Sequence, residues 1–187
     1  MQYLLAHDLG TSGDKATLFT TDGALAASTV VSYPCRYEAG GRAEQDPADW
    51  YAAVCRATRT LLEQVEARDV AGVSFSGHMM GAVLLDRAGD VLRPAIIWAD
   101  QRATAEQALL SQRVGDARLY AITGNRNNPT NSVAKILWCL RNEGLGSRLA
   151  VALNCKDYLV YRLTGAIGTD YSDASGTGAF DLTAFTW

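Results

Sequence analysis

Asp8-Leu9-Gly10-Thr11-Ser12-Gly13-Asp14-Lys15, set directly behind the apolar run Tyr3 to Ala6, decides how this chain is read. A carboxylate at a strand end, small residues that leave backbone N–H groups uncovered, and then a lysine form the combination that a polyphosphate with its Mg²⁺ requires. In that role Asp8 faces the metal directly or through water, Gly10 permits close backbone approach, Thr11 and Ser12 offer donors, and Lys15 supplies positive charge. The same octet also suits a plain hairpin turn with a solvated Asp8 and Lys15. No G-x-x-x-x-G-K-[ST] string occurs, and no G-x-G-x-x-G opens a helix after a strand, which excludes a P-loop and a dinucleotide fingerprint. The octet belongs instead to a hairpin: Lys15 to Thr20 reads as a second strand, Asp22-Gly23 as a tight turn and Ala24 to Ser32 as a third strand.

Outward from the hairpin, Arg36 to Gln45 is a polar, Gly-containing stretch that leads to a marked helix start. Asp46 can cap, Pro47 suits the first helical position and Asp49 lies at the positive end of the dipole. Trp50, Val54, Ala57, Leu61 and Val65 then recur at helical spacing, which predicts one stripe packed on a sheet. Val70 to Ser76 reads as a strand, interrupted by Gly77-His78-Met79-Met80-Gly81 before Ala82 to Leu85; Asp86 to Asp90 is the turn that feeds a strand over Val91 to Trp98. Further on, Ala103 to Arg113, Ser132 to Asn142 and Lys156 to Leu163 are helix candidates, the last with Asn154 as its cap and Gly165 past its end. Thr169 to Leu182 reads as an ordered loop or short hairpin. Three antiparallel strands, a helix and then more strands predict an α/β layer rather than a bundle or a sandwich.

Composition narrows the partners. With 187 residues, 48% hydrophobic, the chain can bury one substantial core but not two full domains. A net charge of −3 without a run of like charges gives no footprint for nucleic acid or anionic lipid. The N-terminus lacks a basic flank, a long apolar stretch and a small-residue cleavage site, so neither a secretion signal nor a membrane span is read and a cytoplasmic location is expected. Cys35, Cys55, Cys139 and Cys155 form no C-x-x-C pair, and with only His7 and His78 a zinc site is not expected; four reduced, mostly buried thiols are. Small metabolites are the expected partners, and a homodimer is left open.

Several strings now stand in a fixed order: Asp8 to Lys15, Glu44-Gln45-Asp46-Pro47, Ser76 to Gly81, Trp98-Ala99-Asp100-Gln101-Arg102, Thr123-Gly124-Asn125, Lys156-Asp157-Tyr158 and Thr169 to Thr177. Together they resemble the N-terminal half of the FGGY carbohydrate kinases, most closely the xylulose kinases, over nearly the whole chain from Tyr3 to Trp187. The resemblance implies an α/β ribonuclease H-like domain of the actin and hexokinase kind, one of two that close over sugar and ATP. It implies ATP and Mg²⁺ as cofactors, a sugar such as D-xylulose as substrate, and Asp8, Gly10, Thr11, Ser12 and Lys15 as the residues facing the phosphates, with Asp8 toward the metal.

The same resemblance makes Gly77 to Gly81 the sugar-binding turn. Bacterial xylulose kinases usually carry Gly-Gln-Met-His-Gly there, so the histidine has moved to His78 and position 80 is a thioether, a weak acceptor. Backbone groups of Met79 and Met80 can still serve, and His78 is either a sugar ligand or a structural histidine. Trp98 can cover the apolar face of a sugar while Asp100 accepts from its hydroxyls; equally, Trp98 suits a core position and Asp100 a helix cap. Arg126 is a further sugar contact or a plain surface arginine, and Asp170 and Asp173 shape the pocket or serve Asx turns. The general base of the family, an aspartate in a later Gly-rich motif, has no counterpart here. The chain is therefore read as an incomplete part of a kinase, without the second, ATP-binding domain and inactive by itself. The alternatives are a kinase for ribulose, gluconate, fuculose or glycerol, and a non-catalytic sugar-binding half-protein.

Overall fold

A computed structural model describes residues 1–187. Strands β1 (Tyr3–Leu9), β2 (Gly13–Thr20) and β3 (Leu25–Ser32) form the expected antiparallel hairpins, β2 beginning two residues early because Gly13 and Asp14 already pair with β3 and β1. Gly13 is fixed by packing: a Cβ there would lie 2.8 Å from the Val31 carbonyl oxygen. The polar stretch expected as a connection is itself a hairpin, β4 (Arg36–Glu38) and β5 (Arg42–Gln45), turned by Gly40 and Gly41 at positive φ.

Helix α1 (Pro47–Leu62) starts where the sequence places it, with Asp46 accepting from the Ala48 N–H. Trp50, Ala53, Val54, Ala57 and Leu61 are buried, and the stripe lies on the sheet; Val65, beyond the helix end, packs at the core's margin. Strand β6 (Val70–Gly77) returns parallel to β1, giving the mixed sheet order β3-β2-β1-β6. The connection between two parallel strands through α1 is what makes this an α/β layer.

Beyond the turn at residues 78–81, β7 (Val83–Leu85) is buried on both sides: Val83 and Leu85 enter the main core and Leu84 enters a second cluster with Ala82, Ile96, Cys139 and Leu145. The long strand expected over Val91 to Trp98 does not form. It shrinks to a bridge at Val91 and β8 (Ala95–Ile96), because Pro94 interrupts it and has no N–H to give a ladder. Helices α2 (Thr104–Arg113) and α4 (Ser132–Asn142) follow expectation, whereas α3 (Asp116–Thr123), closed by Gly124 in the left-handed region, was not read from the sequence. Strand β9 (Val151–Leu153) pairs with β7, and α5 (Cys155–Thr164) ends at Gly165 as expected. The loop or hairpin expected over Thr169 to Leu182 contains a helix, α6 (Tyr171–Gly176), because Asp170 accepts from the Ser172 and Asp173 N–H groups and so caps it.

The main core lies between α1, α5 and one face of the four-stranded sheet. The opposite face is open. Cross-strand register puts Ser76, Asp8, Lys15 and Val30 in one row on it, with Leu4, Ala6, Thr17 and Phe19 beside them. Leu4, Leu25 and Val30 are exposed apolar residues of these strands. All four cysteines are free, Cys139 and Cys155 buried and Cys35 and Cys55 half-buried. No helix is long and apolar enough to cross a membrane.

Candidate active site

The turn after β1 and the turn after β6 are neighbours because the strands pair in parallel register, Leu9 opposite Gly77. The His78 N–H continues that pairing by donating to the Leu9 carbonyl at 2.9 Å. The Trp98 indole N–H reaches the Thr11 hydroxyl at 2.9 Å from the other side. Gln45 supports the same turn from beneath: its amide donates to the Thr11 carbonyl at 2.7 Å and accepts from the Trp50 indole at 3.2 Å. The Tyr33 hydroxyl donates to the Gly10 carbonyl. Thr11, the start of the 78–81 turn and Trp98 are thereby tied together beside the strand end that carries Asp8.

Asp8 and Lys15 face each other across β1 and β2 on the open face, both exposed, and neither side chain has a hydrogen bond or ion pair. They line a cavity of about 290 Å³ with Thr17, Ser74 and Ser76. No cluster of three or more histidine, cysteine or acidic side chains exists that could cage a metal. That donor set suits Mg²⁺, which keeps most of its waters and takes one or two carboxylates plus phosphate oxygens. Gly10 is exposed, and a Cβ there would meet only the Gly13 carbonyl oxygen at 3.5 Å, so internal packing does not demand a glycine at that position. Ser12 is exposed beside it. Beneath the hairpin, His7 donates to or accepts from Thr58 at 3.1 Å and meets the buried Asp14 carboxylate at 2.8 Å, which ties β1 and β2 to α1.

The 78–81 turn is held from several directions. Met80 sits at φ 59°, a left-handed conformation that costs an ordinary residue about 1–2 kcal/mol. The Gly81 N–H donates to the Asn154 side chain at 3.1 Å, and the Asn154 amide in turn donates to the Asp173 carbonyl at 3.2 Å. Asn154 thus precedes α5 as read, but its side chain staples the turn to α6 instead of capping a helix. A Cβ added to Gly176 in α6 would meet Met79 Cε at 3.2 Å, so α6 packs directly against the two methionines.

His78 points inward. Its ring stands edge-on to Trp50 at 5.3 Å, and both ring nitrogens are buried without a hydrogen-bond partner. Burial, aided by the Lys135 charge, pushes its pKa down to about 4. His78 is therefore neutral at pH 7. In proton NMR its ring resonances are expected to hold their neutral positions down to about pH 5, whereas an exposed histidine titrates with a midpoint near 6.5; such a midpoint for His78 would place its ring in solvent.

Asp100 is the residue whose placement departs furthest from expectation. It is fully buried, and both oxygens are engaged: the Ala43 N–H donates to Oδ2 at 2.6 Å, and Arg102 binds the carboxylate through Nε and Nη2, with its own N–H donating to Oδ1. No oxygen is left to accept from a sugar hydroxyl, so Asp100 instead ties the turn that carries Trp98 to β5. Arg102 Nη1 also lies 2.8 Å from Glu44 Oε1, close as charges but off the hydrogen-bond direction, and its guanidinium lies 4.9 Å from the centre of the Trp138 ring. Trp98 is 43% exposed, as a residue covering a ligand face requires, and not the core aromatic that was the other option. Arg126 is exposed and its guanidinium has no ion pair; only its backbone carbonyl is used, by Asn131.

Lys156 gathers Asp157, Asp170 and Asp173 around its ammonium, at 2.5, 2.9 and 3.1 Å. Asp170 caps α6 and is held well below the usual carboxylate range, first by the Ser172 hydroxyl. Asp173 is raised to about 6 by burial and by the neighbouring Asp157 charge. These groups brace α6 behind the turn. Gln45 and Lys135, both buried and both bonded to site backbone, were missed as site residues. Gln45 stood within the quoted Glu44 to Pro47 string; Lys135 gave no signal beyond a cation on an otherwise apolar helix stripe.

The model of the FGGY family of carbohydrate kinases, N-terminal domain, matches residues 3–187. A xylulose kinase of Bacillus subtilis (strain 168) is 40% identical over 190 residues, covering 100% of this chain and 38% of that protein. Among solved structures, the ligand-bound xylulose kinase from Lactobacillus acidophilus superposes with a TM-score of 0.93 at 30% identity, over 100% of this chain and 38% of that one. The gluconate kinase of the same organism gives 0.92 at 30% identity, with the same coverage of 100% and 38%. The chain thus spans about two-fifths of the length of these relatives. Its sheet is the mixed, helix-flanked sheet of that actin- and hexokinase-like fold, and with a match running from residue 3 to residue 187 the chain belongs to the FGGY family of carbohydrate kinases, as an N-terminal domain.

Proposed function

We propose that this domain supplies the sugar pocket and part of the phosphate site of an ATP-dependent carbohydrate kinase, with D-xylulose as substrate and D-xylulose 5-phosphate as product. The observation that carries the proposal is the Trp98 to Thr11 hydrogen bond, which makes a half-exposed aromatic wall and a phosphate-type turn parts of one cleft. Mg²⁺, when bound with ATP, would neutralise phosphate charge and align the γ-phosphorus for in-line attack. Asp8 would hold that ion directly or through water, Lys15 would balance the remaining charge, and the N–H groups and hydroxyls of Thr11 and Ser12 would orient the phosphates. The sugar would lie on Trp98 and the backbone of Met79 and Met80, with Arg126 at the rim. His78 would act from behind the turn through packing on Trp50, and Asp100 through Arg102. The general base and the adenosine pocket are assigned to the portion of the relatives that this chain does not span, and closure of the two domains would exclude water from the transfer.

Similarity to both xylulose and gluconate kinases makes the sugar the point to test. ATP consumption by the full-length protein, followed with a panel of ketoses, sugar acids and polyols, should give the highest kcat/KM with D-xylulose. A preference for gluconate, ribulose or glycerol would keep the kinase and replace its sugar. Sugar binding by calorimetry with no turnover on any member would leave a non-catalytic binding protein.

A further inference from the structure

Lys135 is a cation where the fold disfavours one. It is 0% exposed, lies in the first turn of α4 at the positive end of the helix dipole, and faces an interior that also holds Arg102. Burial, partly offset by Asp100, lowers its pKa to about 7. Its ammonium makes a single hydrogen bond, to the carbonyl of Met80 at 2.6 Å. Met80 is the residue held at φ 59°, in the turn whose side chains and backbone line the proposed sugar site. Ser132, one turn earlier on the same side of α4, has a buried hydroxyl with no partner, so the helix offers Lys135 no local relief. The buried neighbours on α4, Ala134 and Cys139, carry no charge, and the acid that acts on the ammonium, Asp100, is already engaged by Ala43 and Arg102.

We infer that Lys135 is a positioning and specificity residue for the sugar: by gripping the Met80 carbonyl it stabilises the left-handed turn that a non-glycine residue resists, and so sets where Met79 and Met80 stand in the pocket. The inference rests on the proposed function, because it concerns the same sugar site. Lys135 does not touch the sugar; it acts through Met80. The ammonium donates, the carbonyl accepts, and the strained peptide unit at 80–81 is pinned between Lys135 on one side and Asn154 on the other.

The test uses the full-length protein and separates three effects. Lys135→Met keeps the length of the side chain and removes the donor; KM for D-xylulose should rise about tenfold or more, while KM for ATP stays within about twofold. Met80→Gly removes the conformational resistance, so adding Lys135→Met to it should change KM for the sugar by about twofold at most. If Lys135→Met alone does not fold, the comparison is made in the Met80→Gly background, where the turn no longer depends on the ammonium. An unchanged sugar KM in the single variant, or a tenfold difference within the glycine background, would overturn the inference. A wild-type protein that phosphorylates none of the panel would instead overturn the proposed function, and the two failures are thereby distinguished.

Discussion

Replacing Asp8 with alanine in the full-length protein is expected to lower sugar-dependent ATP turnover by about 100- to 1,000-fold or more, with sugar affinity changed by about twofold at most. Asp8 stands on the open face of the sheet, exposed, and no side chain or backbone group uses its carboxylate. Removing it therefore orphans nothing, and folding stability should stay within about 0.5 kcal/mol of the wild type. Its effect would fall on charge alone: under the proposed function the metal would lose a carboxylate contact, and Lys15 on the neighbouring strand could not substitute because its sign is wrong. Steady-state kinetics with calorimetry on the same variant separates the two quantities. Turnover that survives the substitution removes Asp8 from the metal site, and a parallel loss of sugar affinity would show that the residue supports the pocket instead.

Asp100→Asn should produce the opposite pattern, a folding defect that precedes any catalytic one. Its carboxylate accepts from the Ala43 N–H and from Nε and Nη2 of Arg102, whose side chain is 4% exposed. An amide in the same space turns a donor toward donors and leaves a buried guanidinium short of its main counter-charge; breaking one partner of such a pair costs about 3–5 kcal/mol. Glu44, 2.8 Å from Nη1, offsets only part of that loss. Denaturant unfolding of the variant reads the effect directly. A loss below about 1 kcal/mol, accompanied by a large rise in sugar KM, would restore Asp100 to direct contact with substrate.

The parts of the fold that sequence made legible were those with a local physical cause. The hairpins, α1 with its Asp46 cap and Pro47, and the stop of α5 at Gly165 each follow from residues within a few positions of one another. Elements decided by distant partners were not legible. The β4–β5 hairpin depends on pairing with β8, and β9 on pairing with β7 across a long stretch of chain. A helix of six residues at α6 is too short for periodicity to reveal, and the Asp170 that caps it equally suits an Asx turn in a loop. The strand expected over Val91 to Trp98 fails at Pro94, whose missing N–H outweighs the hydrophobic content of the run.

The site divides along the same line. Asp8 and Lys15 share one face of the sheet because the tight β1–β2 hairpin pairs them in register, which a local turn lets the sequence foretell. Asp100 and Asn154 carry polar groups that sequence can equally assign to ligands or to caps. The choice was made by Arg102 and Ala43 in one case and by Gly81 and Asp173 in the other, none of which spacing identifies as partners. Asp8 is left open by the fold, while Asp100 is saturated by it.

Because the Trp98 indole is bonded to the Thr11 hydroxyl, the proposed nucleotide end and carbohydrate end of the cleft would be inherited together. A lineage that altered residue 11 to suit a different phosphate donor would set the indole swinging and blur its discrimination among sugars. Divergence toward new sugars would then be channelled into positions such as 78 and 80 of the neighbouring turn, and away from the bonded pair at 11 and 98.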